Sequence, residues 1–420
     1  MEAADLSPVP ETARTQPAFD LFLIFAAANV VATTMQTGAV LGRSYTNTNA
    51  LFVVVGGAVF GALLVGLLAP VGSRSGVPSM IAARAPLGLY GARLVAALLY
   101  LTNFAWIAVN NTIAASVCAQ VLGGGGEWSA RYWAAALGVA ATAIVAKGPR
   151  AVGLADRVAV PMMAVAGGVL TWSVFSLPAP SLPLAASESA PTMLWGLDVV
   201  IGYQVSWLLM FADYSRYTKS GGKAFAAVFT GLALPALWLM PLGWTLARIA
   251  GSDDPGAMLT AAGAGWWTAV LVALATVTTN FVNIYLSSLA WRTLVPQSTS
   301  AASVWTIGLI GTALGLLSSV WLDRFAEIMV LLGSVLVPVG GVFLAHFVVL
   351  RRSVDVAAVY ATDRLPRFNV SGVAAWAAGF IVYKLAAPIG ATLPALAAST
   401  VVYALASRGQ RDAVVTRNSH

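Results

Sequence analysis

Sorted into apolar and polar positions, the chain is a series of long apolar runs joined by short polar links. About 20 residues of helix cross a bilayer. Runs of that order fall at 19–41, 50–71, 93–122, 132–147, 158–177, 193–212, 224–250, 266–291, 303–322, 325–350, 371–388 and 391–407. They predict twelve membrane-spanning helices in an all-α polytopic protein, with the fourth and the last two spans the shortest. Two runs are interrupted by polar residues at mid-length. In Trp195–Ser220, Gly202, Tyr203, Gln204 and Ser206 sit near the middle, and Asp213 and Arg216 close the end. In the first run, Asn29, Thr33, Thr34, Gln36 and Thr37 precede Gly38. Lipid offers polar groups no partners, so both segments must face protein, water or a ligand at that depth. Gly202 predicts a break in helix 6. Broken helices at mid-membrane are where secondary transporters bind substrate.

Charge fixes the expected orientation. With the N-terminus inside, 18 of the 23 Lys and Arg residues fall on the cytoplasmic side, among them Arg74, Arg84, Arg93, Arg216, Arg351 and Arg367. Arg43, Arg131, Arg248, Arg324 and Lys384 remain outside. A missed span would exchange the sides of every later loop, so this asymmetry supports the count and predicts that both termini are cytoplasmic. Charged residues make up 9% of the chain and hydrophobic ones 59%, with a mean hydropathy of +0.82; an ordinary soluble protein carries roughly 25% charged residues. The net charge of +7 lies in short loops, which is a topology signal, and no nucleic-acid partner is expected. Cys118 lies within an apolar run and reads as a buried thiol. Residues 1–18 are polar, hold Pro8, Pro10 and Pro17, and read as a disordered cytoplasmic tail.

The spans offer amides, hydroxyls and aromatic rings for chemistry, and little else. Thr102, Trp106, Asn110 and Ile113 share one face of helix 3. Trp106 reads either as a core tryptophan or as a flat platform for a planar ligand, with the Asn110 amide one turn away to read its edge. Thr276, Thr279, Asn280, Asn283 and Ser287 form a polar stripe on helix 8. Neutral donors and acceptors of this kind suit a hydrogen-bonding heterocycle and a dehydrated monovalent cation. Helix 6 adds Tyr203, Gln204, Ser206 and Trp207. Asp198, one turn before Gly202, is open to three readings: a gate, a proton site or an interfacial charge. Asp213 and Arg216 read as a local pair, Glu327 and His346 as interfacial, and Lys384 as snorkelling. His346 and His420 are the only histidines. No metal cluster, nucleophile or cofactor is expected, which argues against an enzyme.

Four stretches carry a resemblance: PSMIAARAPLGLYGARL at 78–94, WIAVN at 106–110, ADYSRYTKS at 212–220 and TTNFVNIYLSS at 278–288. In this order they resemble the nucleobase–cation symporters, the cytosine and purine permeases with their hydantoin and allantoin relatives. The stretch SWLLMFADYSRY also resembles the subgroup that carries hydroxymethylpyrimidine. The resemblance implies a transport core at 19–350 made of two inverted repeats of five helices, about 19–177 and 193–350, with helices 1 and 6 discontinuous. A cytoplasmic loop at 351–370, two peripheral helices at 371–407 and a tail at 408–420 complete the chain.

The resemblance also places substrate contacts at Trp106, Asn110, Gly202, Tyr203, Gln204, Asn280 and Asn283, with Gln36 as a further one. Trp207 is an alternative stacking partner on helix 6. For sodium-coupled relatives it points to Thr278 and Thr279 with carbonyls near Asn29 to Thr33. The expected function is import across the cell membrane of a cytosine-, purine- or hydroxymethylpyrimidine-like ring, coupled to Na+ or H+ by alternating access. The alternatives are an amino-acid or amine carrier on the same scaffold and a non-transporting membrane sensor.

Overall fold

In lipid a helix satisfies its own N–H and C=O groups, and the apolar runs fold accordingly. The computed structural model describes residues 6–123, 125–177, 191–263, 265–295, 297–317 and 324–408. The first half holds α1 (Ala18–Asn29), α2 (Ala32–Ser44), α3 (Asn47–Ser75), the short α4 (Ser79–Ala82), α5 (Arg84–Leu122), α6 (Glu127–Ala146) and α7 (Pro149–Ser176). The second holds α8 (Met193–Val205), α9 (Gly221–Ala250), α10 (Pro255–Ala261), α11 (Trp266–Leu294), α12 (Ser300–Gly315) and α13 (Phe325–Leu344). Then come α14 (Val356–Tyr360), α15 (Val370–Ala386) and α16 (Thr392–Ala406). Among the described residues, nine helices are long and apolar enough to cross a membrane, and the bent pair α1–α2 makes a tenth. With the shorter apolar helices α12 and α16, they fit the twelve predicted runs. Leu101, Val165, Leu234, Leu309 and Leu385 point outward, as a lipid-facing surface requires.

The helices divide into two packed groups. α1, α2 and α3 pack on α9, and α8 packs on α3; α5, α6, α7 and α12 gather around α11. Direct contacts between the groups are sparse and run chiefly from α1 and α2 to α5 and α11, while the short α10 packs on both α5 and α9. The contacting pairs α3 with α9, α5 with α11 and α6 with α12 are each five spans apart in order.

Helix 1 is broken at Val30 and Val31, where the backbone turns extended (φ −136°, ψ 161° at Val31) and the two arms bend by 54°. β-Branched residues weaken the helix there, and neighbouring side chains take over the freed groups. Thr34 Oγ1 donates to Asn29 O at 2.6 Å, and Asn29 Nδ2 to Leu232 O on α9 at 2.8 Å.

Helix 6 departs from expectation. Gly202 lies inside α8, and the winding changes one turn later, after Val205. There the backbone bonds tighten to three-residue spacing: Ser206 N to Tyr203 O, Trp207 N to Gln204 O and Met210 N to Trp207 O. The glycine has another use. A methyl group on it would stand 2.8 Å from Met329 O of α13, so it permits close approach of two helices. Ser206 Oγ donates to Gly202 O at 3.1 Å where the winding changes.

Residues 6–17 are also not the loose tail their composition suggested; residues 1–5 lie outside the described residues. The segment straps one end of the bundle. Val9 N donates to Gly76 O (2.9 Å), Gln16 N to Tyr217 O (3.0 Å) and Arg14 Nη1 to Ser73 O (2.8 Å). A guanidinium among the last carbonyls of α3 suits the negative end of that helix. Tyr360 Oη bonds Leu6 O from α14. The stretch leading to α15 is tied in turn to α5 around a kink at Gly88 (φ 78°), by Leu89 N to Pro366 O and Asn369 N to Leu87 O.

Asp198 meets none of the cavity described below. It is buried, and its carboxylate accepts from Ala391 N (2.7 Å) and Thr392 N (2.9 Å) at the start of α16. An anion at a helix N-terminus is favourable, so Asp198 docks the peripheral helices onto helix 6. His346, read as interfacial, is instead buried, with Nδ1 2.7 Å from Tyr403 Oη on α16. Asp213 Oδ1 accepts from Ser79 N (3.3 Å), while Ser79 Oγ accepts from Ala212 N (2.8 Å), which fastens the end of helix 6 to α4.

Two stability tests follow from these contacts. Gly38 and Gly243 sit at the contact of α2 with α9, where a methyl on either would overlap the backbone of the other helix, at Met240 or Met35 respectively. Gly38→Val should cost roughly 2 kcal/mol or more by overpacking, read as a lower melting temperature and loss of monodisperse protein. Gly168→Ala, with open space around it, should change neither. Asp198→Ala should cost about 1–2 kcal/mol through loss of a helix cap, read by thermal unfolding, and should leave ligand affinity unchanged.

Candidate functional site

At the seam between the two helix groups lies a small cavity. Its wall is built from the break in helix 1 (Ala28, Val31, Thr33), from Trp106 and Asn110 on α5, and from Thr279 and Asn283 on α11. Tyr203, Ser206, Trp207 and Met210 close it from helix 6 and the tighter turn that follows. The helix-1 break is therefore a wall of the site. It is also bonded to helix 6: Tyr203 Oη lies 2.6 Å from Thr34 Oγ1 and 3.3 Å from Thr33 Oγ1.

The aromatic rings form a corner. Trp106 and Tyr203 stand edge to face, with centroids 5.7 Å apart and planes at 83°. This arrangement is attractive in itself, and it differs from the parallel sandwich that stacking between the two would require. A flat ligand can lie on one ring face and meet the edge of the other. Trp207 is held by Phe25, at 5.8 Å and 64°.

The amides sort into two tiers. Asn110 and Asn283 border the cavity. Asn280 is fully buried behind them; its Nδ2 donates to Asn111 Oδ1 at 2.8 Å, and its Oδ1 lies 3.5 Å from the Nδ2 of both Asn110 and Asn283. Thr276 Oγ1 donates to Asn110 O at 3.4 Å. The helix-8 stripe thus divides, with Thr279 and Asn283 at the cavity and Thr276 and Asn280 against α5.

The two adjacent threonines part company. Thr278 Oγ1 bonds back to Leu274 O and Ala275 O and faces Met163 of α7. Thr279 Oγ1 is buried at the cavity with no hydrogen-bond partner among the described residues. An unpaired buried hydroxyl is costly, and a ligand or ion in the cavity would relieve it.

Several expected contacts stand elsewhere in this structure. Gln36 Nε2 donates to Asp253 O (2.9 Å), and Gln204 Nε2 to Leu232 O (3.3 Å), the carbonyl that also holds Asn29. Gly202 faces α13, and Asn280 is screened by its neighbours. In helical geometry a residue one position along points about 100° away, which is why Gln204 turns from the cavity while Tyr203 and Trp207, one turn apart, share it.

Ala28, Val31 and Met210 carry no signal in the sequence, because apolar lining residues look like any others in a span. Asn111 is nearly as silent. The amide doublet at mid-span was its one signal, since each buried amide there needs a partner. Among the described residues no three His, Cys, Asp or Glu side chains gather as a metal site.

The family described as permease for cytosine/purines, uracil, thiamine and allantoin matches residues 8–406. The chain is 25% identical over 375 residues to cytosine permease of Escherichia coli strain K12, covering 89% of this chain and 86% of that one. It is 24% identical over 250 residues to a putative purine-cytosine permease of Bacillus subtilis, covering 58% of this chain and 53% of that one. Among solved structures it shares the fold of a nucleobase-cation-symport-1 family transporter in a closed conformation with bromovinylhydantoin bound. The TM-score is 0.79 at 16% identity, with 96% of this chain and 94% of that one covered. The broken helix 1, the seam cavity and the extent of the sequence match converge: this multi-pass membrane protein belongs to the cytosine/purine permease family and is a transporter, not an enzyme.

Proposed function

We propose that the chain imports a planar, nucleobase-like heterocycle by symport with a cation. The observation that carries this reading is the seam cavity, in which the Trp106–Tyr203 corner stands beside the Asn110 and Asn283 amides. Each helix group contributes one ring of the corner and part of the polar wall. A flat ring with edge donors and acceptors fits such a wall, and a dry site penalises ligands that leave its polar groups unpaired. The cytosine permeases among the relatives and the hydantoin in the solved transporter support a small polar ring. Cytosine, purines and hydroxymethylpyrimidine all meet that description.

Sodium is the coupling ion we favour. The cavity offers the free Thr279 hydroxyl beside the helix-1 break at Val31, which are neutral oxygen donors. A proton would need a titratable group, and the Asp198 carboxylate is engaged at α16. The ion drives transport only through unequal affinity for the two access states. The basic loops support an orientation in the cell membrane with both termini cytoplasmic. An amino-acid or amine carrier would be expected to set a charged partner in the cavity, and the wall residues are neutral. A sensor would bind the same ring without moving it.

Trp106→Ala should abolish binding of the ring while the protein stays folded. Thermal-shift titration of purified protein checks this against cytosine, uracil, adenine, hypoxanthine, hydantoin, allantoin and hydroxymethylpyrimidine, because a ligand of the folded state raises the melting temperature. Unchanged affinity in the variant would reduce Trp106 to core packing. Thr279→Ala should weaken the sodium dependence of uptake into proteoliposomes at least tenfold while expression is kept. Uptake by the unmutated protein that follows pH and ignores sodium would remove the ion site.

A further inference from the structure

We propose that Asn111, which does not touch the cavity, is a positioning residue that sets the hydrogen-bond polarity of the site; the inference rests on the transport reading above. A carboxamide has a donor end and an acceptor end, so fixing one end fixes what the other can offer. Asn280 Nδ2 is committed to Asn111 Oδ1 at 2.8 Å. Asn280 Oδ1 is thereby turned toward Asn110 Nδ2 and Asn283 Nδ2, each 3.5 Å away. Both of those residues border the cavity, and with one N–H of each drawn back toward Asn280, their carbonyl oxygens are free to accept from a ligand. Reversing Asn280 would reverse both, and the cavity would offer donors in place of acceptors.

Asn111 is well placed to hold this choice. It is fully buried on α5, one position past Asn110 and so turned toward α6 and α12. Gly138 of α6 lies against its Nδ2, where a methyl would stand 2.7 Å away, and Gly315 of α12 lies against its Cβ. The two glycines make a slot that admits the amide and restricts its movement. Among the described residues Asn111 Nδ2 has no partner, so Asn280 is the one hydrogen-bond partner of its side chain there. The relay ends in two acceptors, which select a ring that presents two donors, an amino group with a second N–H. In the oxo counterpart the amino group becomes a carbonyl while the neighbouring ring nitrogen gains an N–H, so the donor is displaced by one ring position and carbonyl is opposed to carbonyl where the amino group would sit. An unmatched polar pair in a dry site discriminates strongly.

The test measures the dissociation constants of purified full-length protein for cytosine against uracil and for adenine against hypoxanthine, two amino/oxo pairs. The unmutated protein should prefer the amino member. Asn111→Leu removes the acceptor at similar bulk, releases Asn280, and should lower the amino/oxo affinity ratio by about tenfold, the order of one hydrogen bond. Asn111→Asp keeps an acceptor at that position and should retain the ratio. If the leucine variant does not fold, Asn111→Ala carries the same expectation.

A ratio unchanged in the leucine or alanine variant, or equal loss of affinity for both members, would make Asn111 a packing residue and overturn the relay. Loss of the ratio in the aspartate variant, or preference of the unmutated protein for the oxo member, would overturn it too. If the folded unmutated protein binds neither pair nor any ring of the wider panel, the transport reading itself falls, and the relay with it.

Discussion

A backbone carbonyl or amide released inside a membrane has no water to turn to, and this structure is arranged around the place where helix 1 releases several. The break at Val30–Val31 stands because other groups reach it: the Thr34 hydroxyl bonds Asn29 O, Asn29 anchors on Leu232 O, and Tyr203 reaches Thr34 from helix 6. Each of these bonds costs little to make and much to leave unmade at that depth. The cavity is a by-product of the same economy. Where the two arms of helix 1 part, the space is bounded by whatever the neighbouring helices turn inward, here rings and amides.

Around this point the molecule divides its work. One helix group is drawn together by small residues that allow backbones to meet, as at Gly38 and Gly243. The other carries the buried amide cluster of α5 and α11. The peripheral helices attach through a carboxylate on helix 6, and the segments 6–17 and 351–369 cover the basic end by backbone hydrogen bonds. Van der Waals contact, amide pairing and helix-end electrostatics thus serve different joints.

Much of this was legible in the sequence, for physical reasons that also mark the limits. Hydropathy is local, so the spans could be counted. The polar face of helix 8 was visible because Thr276, Thr279, Asn280 and Asn283 repeat at helical spacing. The side each residue faces within the polar patches was not legible. Gln36 and Gln204 look as well suited to a ligand as Asn110, yet their partners are carbonyls at Asp253 and Leu232, far along the chain. Gly202 signalled a special position correctly and the wrong kind, because close approach to Met329 leaves the same mark as a break. The segment 6–17 has the polar, proline-rich composition of disorder; what orders it are acceptors at Ser73, Gly76 and Tyr217.

The edge-to-face contact of Trp106 and Tyr203 has one more implication. Trp106 belongs to the group around α11, and Tyr203 sits on α8 with the group around α9. The corner is therefore assembled by two bodies that touch only sparsely. A ligand seated against both rings has a binding energy that depends on the spacing between those bodies, and by reciprocity its occupancy exerts a force on that spacing. The pocket is then a strain gauge set into the seam between the two groups, its affinity a reading of their spacing.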